Sequence, residues 1–367
     1  MKATQQLHDL GQSLWLDNIT RDLLTGGGLQ RYINEFSVTG LTSNPTIFDK
    51  AIKGSASYDD AIRKKTQAGK SGETLFFELA LEDLIRAADL FRPIHSATGG
   101  VDGWVSLEVS PLLADDTVGT VKAAVQLHAR AERPNLFIKI PGTRAGIPAI
   151  EEAIFKGVPI NVTLLFSREQ YLAAADAYMR GIERRLVAGL DTNVSSVASI
   201  FVSRWDVAVK DKVPKELRDR LGIAIAKRTY KAYCDLYASP RWQKLARAGV
   251  RKQRLLWAST GTKDPNASDT LYIQALAAPD TINTIPEKTL QAFADHGETA
   301  GALPVDGGDA ETVLGKFARA GVVEADVAAR LQQEGTESFD KSWQDLLQSI
   351  ADKSTALEKT NAKTGAA

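Results

Sequence analysis

Residues 160–186 read INVTLLFSREQYLAAADAYMRGIERRL, and this stretch decides the fold class. Ile160–Phe166 is an almost continuous apolar run, the pattern of a parallel strand covered on both faces. Ser167 stands where a helix N-cap is wanted, and a long amphipathic run follows it. The same unit recurs outward in both directions. Further apolar runs lie at Leu14–Asp17, Ser37–Thr42, Trp104–Val109, Leu136–Ile140, Val197–Val202, Leu255–Ser259 and Thr281–Ile285. Amphipathic stretches separate them: Glu73–Phe91, halting before Pro93; Asp115–Ala131, opening on two acids; Pro214–Tyr237; and Glu287–Ala294 after Pro286. Eight strands alternating with helices predict an α/β protein, a (β/α)8 TIM barrel with additional helices. An open doubly wound sheet is the alternative. No GxGxxG follows the first strand, and Gly26–Gly28 has the wrong spacing and reads as a helix end. No linker divides the 367 residues. The expected organisation is one barrel domain over residues 1–353, its Gly308–Lys353 segment forming helices across the barrel end. Residues 354–367, poor in apolar groups, are expected to form a flexible tail.

Composition narrows the function. Lys+Arg and Asp+Glu each total 45, so the formal net charge is zero, against the basic excess usual for nucleic-acid or membrane-surface partners. A single cysteine, Cys234, excludes an intrachain disulfide and a thiolate cluster. The four histidines, His8, His95, His128 and His296, never stand at ligand spacing, so no metal site is expected. No apolar run reaches membrane-spanning length and the N-terminus lacks a signal-peptide stretch, so the expectation is a cytoplasmic protein without membrane association. One basic stretch, Arg241–Arg254, could be a nucleic-acid footprint. Lys244, Arg247 and Arg251 follow helical spacing, and a solvated helix face is the better reading.

Functional groups of this fold sit at the carboxyl ends of the strands. Seven of the eight predicted strands deliver a polar residue there: Asp17; Thr42-Ser43-Asn44; Glu108; Lys139; Asn161 and Thr163; Ser199, with Ser203-Arg204 after it; and Ser259, with Lys263 beyond. Lys139 interrupts the apolar Leu136–Ile140. Burial would free its amine as a nucleophile, whereas a strand-end lysine could equally snorkel to solvent or be salt-bridged. Glu108 could partner that lysine, and Asp17 could equally be an N-cap. Together the two carboxylates and the amine form an acid/base set. Asn161 and Thr163 share one strand face, and a strand asparagine needs a partner. Arg204 and Lys263 read as solvated charges or, with Ser259, as a phosphate site.

The strings Gly40-Leu-Thr-Ser-Asn-Pro-Thr-Ile-Phe48, Val105-Ser-Leu-Glu-Val109, Phe137-Ile-Lys-Ile-Pro-Gly-Thr143, Ile160-Asn-Val-Thr-Leu-Leu-Phe-Ser167, Ser196-Val-Ala-Ser-Ile-Phe-Val-Ser-Arg204 and Leu256-Trp-Ala-Ser-Thr-Gly261 occur in order along the chain. In these the chain resembles the transaldolases, and most closely a longer bacterial branch of that family. The resemblance implies a class I aldolase-type barrel that needs no cofactor and no metal. It moves a dihydroxyacetone unit between sugar phosphates of the pentose phosphate pathway. It implies Lys139 as the Schiff-base lysine, Asp17 as general acid/base, and Glu108 with Thr163 as the pair positioning a water. It implies Asn44 and Asn161 as ligands of donor hydroxyls, Ser199 beside the Schiff base, and Arg204 and Ser259 as phosphate ligands. The better-known branch has an arginine where this chain has Gly261, and Lys263 is the expected substitute. Smaller relatives that release dihydroxyacetone carry a tyrosine where this chain has Phe201, so transfer is favoured over a fructose-6-phosphate aldolase-like lyase. A non-catalytic sugar-phosphate-binding barrel is the alternative of another class. The partners implied are small sugar phosphates, with no nucleic acid and no membrane, and a monomer or a homodimer is expected.

Overall fold

The computed structural model describes residues 2–364. Its strands are β1 (Ser13–Asp17), β2 (Val38–Thr42), β3 (Val105–Glu108), β4 (Leu136–Pro141), β5 (Ile160–Leu165), β6 (Ser196–Phe201), β7 (Arg254–Ala258) and β8 (Thr281–Ile285). They close in sequence order into a barrel, and each neighbouring pair is parallel. Each lies within a residue or two of its predicted run.

Alternation along the strands sorts the side chains. Leu14, Leu16, Ile138, Ile140 and Val162 join the core shared with the surrounding helices. Trp15, Trp104, Phe137, Val197, Leu256 and Ile282 form a second cluster inside the barrel. Trp104 and Phe137 stack at 4.0 Å between centroids. Gly40 makes room for the neighbouring indole, because a Cβ there would meet Trp15 Nε1 at 2.5 Å. The amino-terminal end is closed by polar groups around Asp102. It accepts from Trp15 Nε1 and Thr39 Oγ1, each at 2.8 Å, and from Ser13. The carboxyl end is left for other chemistry.

Four helix expectations need correction. The helix expected to stop before Pro93 runs Gly72–Ala97. Pro93 is exposed, so the carbonyl it deprives of a donor faces water, and His95 beyond it packs edge-on against Trp104 at 4.9 Å. Pro214–Tyr237 is a short 3₁₀ turn, Lys215–Leu217, then a helix, Leu221–Ala238. Asp219 at φ 57 breaks the run, and the Asp206 carboxylate caps the new start by accepting from the amides of Leu221 and Gly222. In the basic stretch, the helix covers only Pro240–Arg247. Arg251 lies beyond it and donates to the Gly99 carbonyl, while Arg254 is a buried residue of β7. The expected tail is helical through Thr364, because the last helix, Glu324–Thr364, continues across residue 354 with Leu357 packed on the core. Residues 365–367 of that tail lie outside the described residues.

This C-terminal helix, preceded by Ala310–Arg319, crosses the carboxyl end of the barrel. Gln332 fixes it there, donating to the carbonyls of Gly142 and Leu164, each at 3.0 Å. No described helix is long and apolar enough to cross a membrane.

Candidate functional site

A cavity of about 280 Å³ opens at the carboxyl end of the barrel under the C-terminal helix. Nine of the predicted residues line it: Asp17, Asn44, Lys139, Thr163, Ser199, Phe201, Arg204, Ser259 and Lys263. Glu108 and Asn161 stand one bond behind the wall.

Parallel register sets the centre. Glu108 pairs with Lys139 across β3 and β4, and Lys139 pairs with Asn161 across β4 and β5. All three side chains therefore point the same way at one height. Lys139 is 6% exposed and Glu108 5%. Lys139 Nζ lies 3.2 Å from Glu108 Oε2 and donates to the Ser43 carbonyl at 3.0 Å. The lysine is thus buried and paired rather than snorkelling. Burial pushes the Glu108 carboxyl above its ordinary range, the Lys139 charge pulls it back, and Asp17 adds to the rise. Asp17 is raised as well, chiefly by burial, against the Thr42 hydrogen bond and the charges of Lys139 and Lys263. Raised carboxyls beside an amine are poised to exchange protons with it.

The flanking groups are placed by local structure. Asn161 donates to Ser106 Oγ at 3.2 Å and accepts from Ser199 Oγ at 2.7 Å. Asn44 caps the helix Pro45–Gly54, its Oδ1 accepting from the Ile47 amide, which leaves Nδ2 for the cavity. β5 is irregular between Val162 and Leu165, with Leu164 at φ 56. Beside this bulge the Thr163 hydroxyl is fully buried and has no hydrogen-bond partner. A buried hydroxyl without a partner costs free energy, and its place on the cavity wall suits one that bonds a water or substrate atom.

Cations gather on the opposite wall. Arg204, half-buried, lies 5.4 Å from the Phe201 ring centroid. Among the described residues no carboxylate is within salt-bridge distance of it; burial lowers its pKa, and Glu334, paired with Arg330, opposes this through space. Ser259 follows β7 at φ 56, a region costly for a serine, with its Oγ 2.9 Å from Ser203 Oγ. Lys263 Nζ would stand 3.7 Å from a Cβ at Gly261, beside the place where a side chain at 261 would begin. Lys50 is a further exposed cation on this cavity.

Thr42, a polar strand-end residue to which the sequence attaches no role, and Thr284, on the one strand without a predicted site residue, also line the cavity. Both are polar residues on apolar strands, and Ser106, behind Asn161, carried the same signal. Ser338 and Phe339 of the C-terminal helix also line the cavity. Nothing in an amphipathic helix pattern marks them, since their place depends on how the helix crosses the barrel.

The family model described as transaldolase/fructose-6-phosphate aldolase matches residues 14–350. Among curated relatives, the transaldolase of Parafrankia sp. (strain EAN1pec) is 44% identical over 358 residues, covering 95% of this chain and 97% of its own. The transaldolases of Saccharopolyspora erythraea and Thermobifida fusca are each 45% identical, covering 94% and 95% of this chain and 96% and 97% of their own.

Proposed function

The chain belongs to the transaldolase/fructose-6-phosphate aldolase family, and we propose that Lys139 carries out its chemistry as the Schiff-base nucleophile. The activity is that of a transferase: a dihydroxyacetone unit passes from sedoheptulose 7-phosphate to glyceraldehyde 3-phosphate, giving erythrose 4-phosphate and fructose 6-phosphate. The observation that carries the mechanism is the buried Lys139–Glu108 pair at 3.2 Å, with Lys139 on the wall of a cavity that Asp17 and Arg204 also line.

Glu108, its carboxyl raised by burial, takes a proton from the Lys139 ammonium and leaves a neutral amine. The amine attacks the ketone carbon, C2. Glu108 and a water held with Thr163 move protons so that the C2 oxygen leaves as water, giving an iminium ion. Asp17 removes the proton of the C4 hydroxyl. The C3–C4 bond breaks, its electron pair enters the iminium to form an enamine, and the aldose phosphate departs. The enamine carbon then attacks the aldehyde of the acceptor, Asp17 returns the proton, and hydrolysis frees Lys139. Covalent catalysis here splits one difficult step into easier ones. Asn44 and Ser199 bind the hydroxyls of the three-carbon unit, and Asn161 supports them from behind the wall by accepting from Ser199 Oγ. Arg204, Ser259 and Lys263 hold the phosphate, with Lys263 as a point charge rather than a fork.

Release of the three-carbon unit would make a lyase instead. Phe201 packs against Phe166 at 5.4 Å and has no hydroxyl to hold a protonating water, which supports transfer. A monomer or homodimer acting in the cytoplasm fits this reading.

The test is borohydride reduction in the presence of fructose 6-phosphate, followed by peptide mass spectrometry. A three-carbon adduct on Lys139, absent in Lys139→Ala, is expected. Modification elsewhere overturns the assignment, and none at all favours a barrel that only binds sugar phosphate. Rapid release of dihydroxyacetone without an acceptor overturns transfer in favour of the lyase.

A further inference from the structure

We propose that Thr284 is a positioning residue for the acid/base group, oriented to donate its proton to Thr42, which donates its own to Asp17. Thr284 Oγ1 lies 2.5 Å from Thr42 Oγ1, and Thr42 Oγ1 lies 2.8 Å from Asp17 Oδ1. Both threonines are nearly fully buried, at 3% and 4% exposure. β2 and β8 flank β1 on opposite sides and pair with it rather than with each other, so the two hydroxyls meet inside the barrel.

Donor counting fixes the direction. An ionised carboxylate only accepts, and each hydroxyl has one proton. Thr42 spends its proton on Asp17, so the short contact behind it is filled by the proton of Thr284. A hydroxyl that itself accepts a bond donates more strongly, which favours the ionised form of Asp17.

The pair differs from the other groups acting on Asp17. Those are the cations Lys139, on β4, and Lys263, in the loop after β7, and the carboxylate Glu108, on β3. On the mechanism proposed above, on which this inference rests, each of them changes within a turnover. The Lys139 charge is lost at the enamine, Lys263 meets phosphate, and Glu108 gains and loses a proton. The threonines keep their charge throughout. Once Asp17 holds the C4 proton, the chain can run the other way, Asp17 to Thr42 to Thr284, without moving a heavy atom. Thr284 lines the cavity and can then donate into it.

The experiment compares pH profiles of kcat/KM for the wild type, Thr284→Val and Thr284→Ser, with borohydride trapping on each. The valine variant is expected to move the acid limb upward by about half a pH unit, lowering activity on that limb about three-fold. Its KM and its trapping on Lys139 should be unchanged, and serine should restore the wild-type profile. A valine profile that overlays the wild type overturns the proposal. So does a valine variant that loses activity equally at every pH together with thermal stability, which marks a packing role. Failure of trapping in the wild type would instead strike the Schiff-base mechanism, so the two failures are distinguishable.

Discussion

Arg204 gives the sharpest separation of function from stability. Its guanidinium is half-buried on the cavity wall, with no carboxylate at salt-bridge distance among the described residues. An unpaired, partly desolvated cation adds little to folding; the Phe201 ring offers ~0.5–1 kcal/mol in return for the desolvation. Replacing it by glutamine should therefore change unfolding free energy by less than about 1 kcal/mol. Toward a phosphate the arithmetic is different. Two charge-assisted hydrogen bonds of ~1.5–3 kcal/mol each amount to ~3–6 kcal/mol, and ~1.4 kcal/mol is a factor of ten. Arg204→Gln should lower kcat/KM for fructose 6-phosphate by about 10²–10⁴-fold. The assay includes unphosphorylated fructose as donor, for which variant and wild type should differ little. A variant that loses stability, or that loses activity equally on both donors, would refute the reasoning, because Arg204 would then support the barrel rather than the phosphate.

Two further outcomes follow from the buried carboxyls. Glu108→Gln removes the proton acceptor of Lys139, so Schiff-base formation in single-turnover trapping should slow by about 10²–10⁴-fold, and breaking the buried pair should cost ~3–5 kcal/mol on chemical denaturation. Asp206, which caps the helix Leu221–Ala238 and accepts from Tyr272 Oη, is raised by burial from 3.8 to about 6. A carboxyl raised on folding binds its proton more tightly in the native state, so stability is full below about pH 4 and falls as pH climbs through about 6. That group alone contributes a fall of ~3 kcal/mol, and Asp206→Asn should flatten the stability profile over this range.

The sequence carried the barrel because parallel strands buried on both faces leave uninterrupted apolar runs, and the breaks in those runs make up the candidate site. Lys139, Glu108 and Asp17 were visible for that reason, each a charge where the default is a core aliphatic. Contacts made at a distance leave no such mark in the local pattern. Pro214 looked like a helix start, but the start is set by Asp206, which reaches the amides of Leu221 and Gly222 from an earlier segment. Residues 354–364 are poor in apolar groups, yet they continue the helix that begins at Glu324 and crosses the barrel. Thr284 was visible by the same rule that found Thr163, and the bond that gives it meaning crosses from β8 to β2.

The distribution of polarity inside the barrel also accounts for how a buried lysine with two carboxylates is tolerated. A buried ion pair is weak evidence for stability, since desolvation offsets much of its Coulomb gain. Asp17, Glu108, Lys139 and Thr163 therefore occupy the carboxyl half at a cost. The amino half compensates: Trp15, Trp104 and Phe137 pack against one another there, and Asp102 accepts hydrogen bonds from Trp15, Thr39 and Ser13. Stability and chemistry are thus divided along the barrel axis. The same division resolves the charge balance, because a chain of zero net charge can concentrate Arg204, Lys263 and Lys50 at one mouth and there attract a dianionic sugar phosphate.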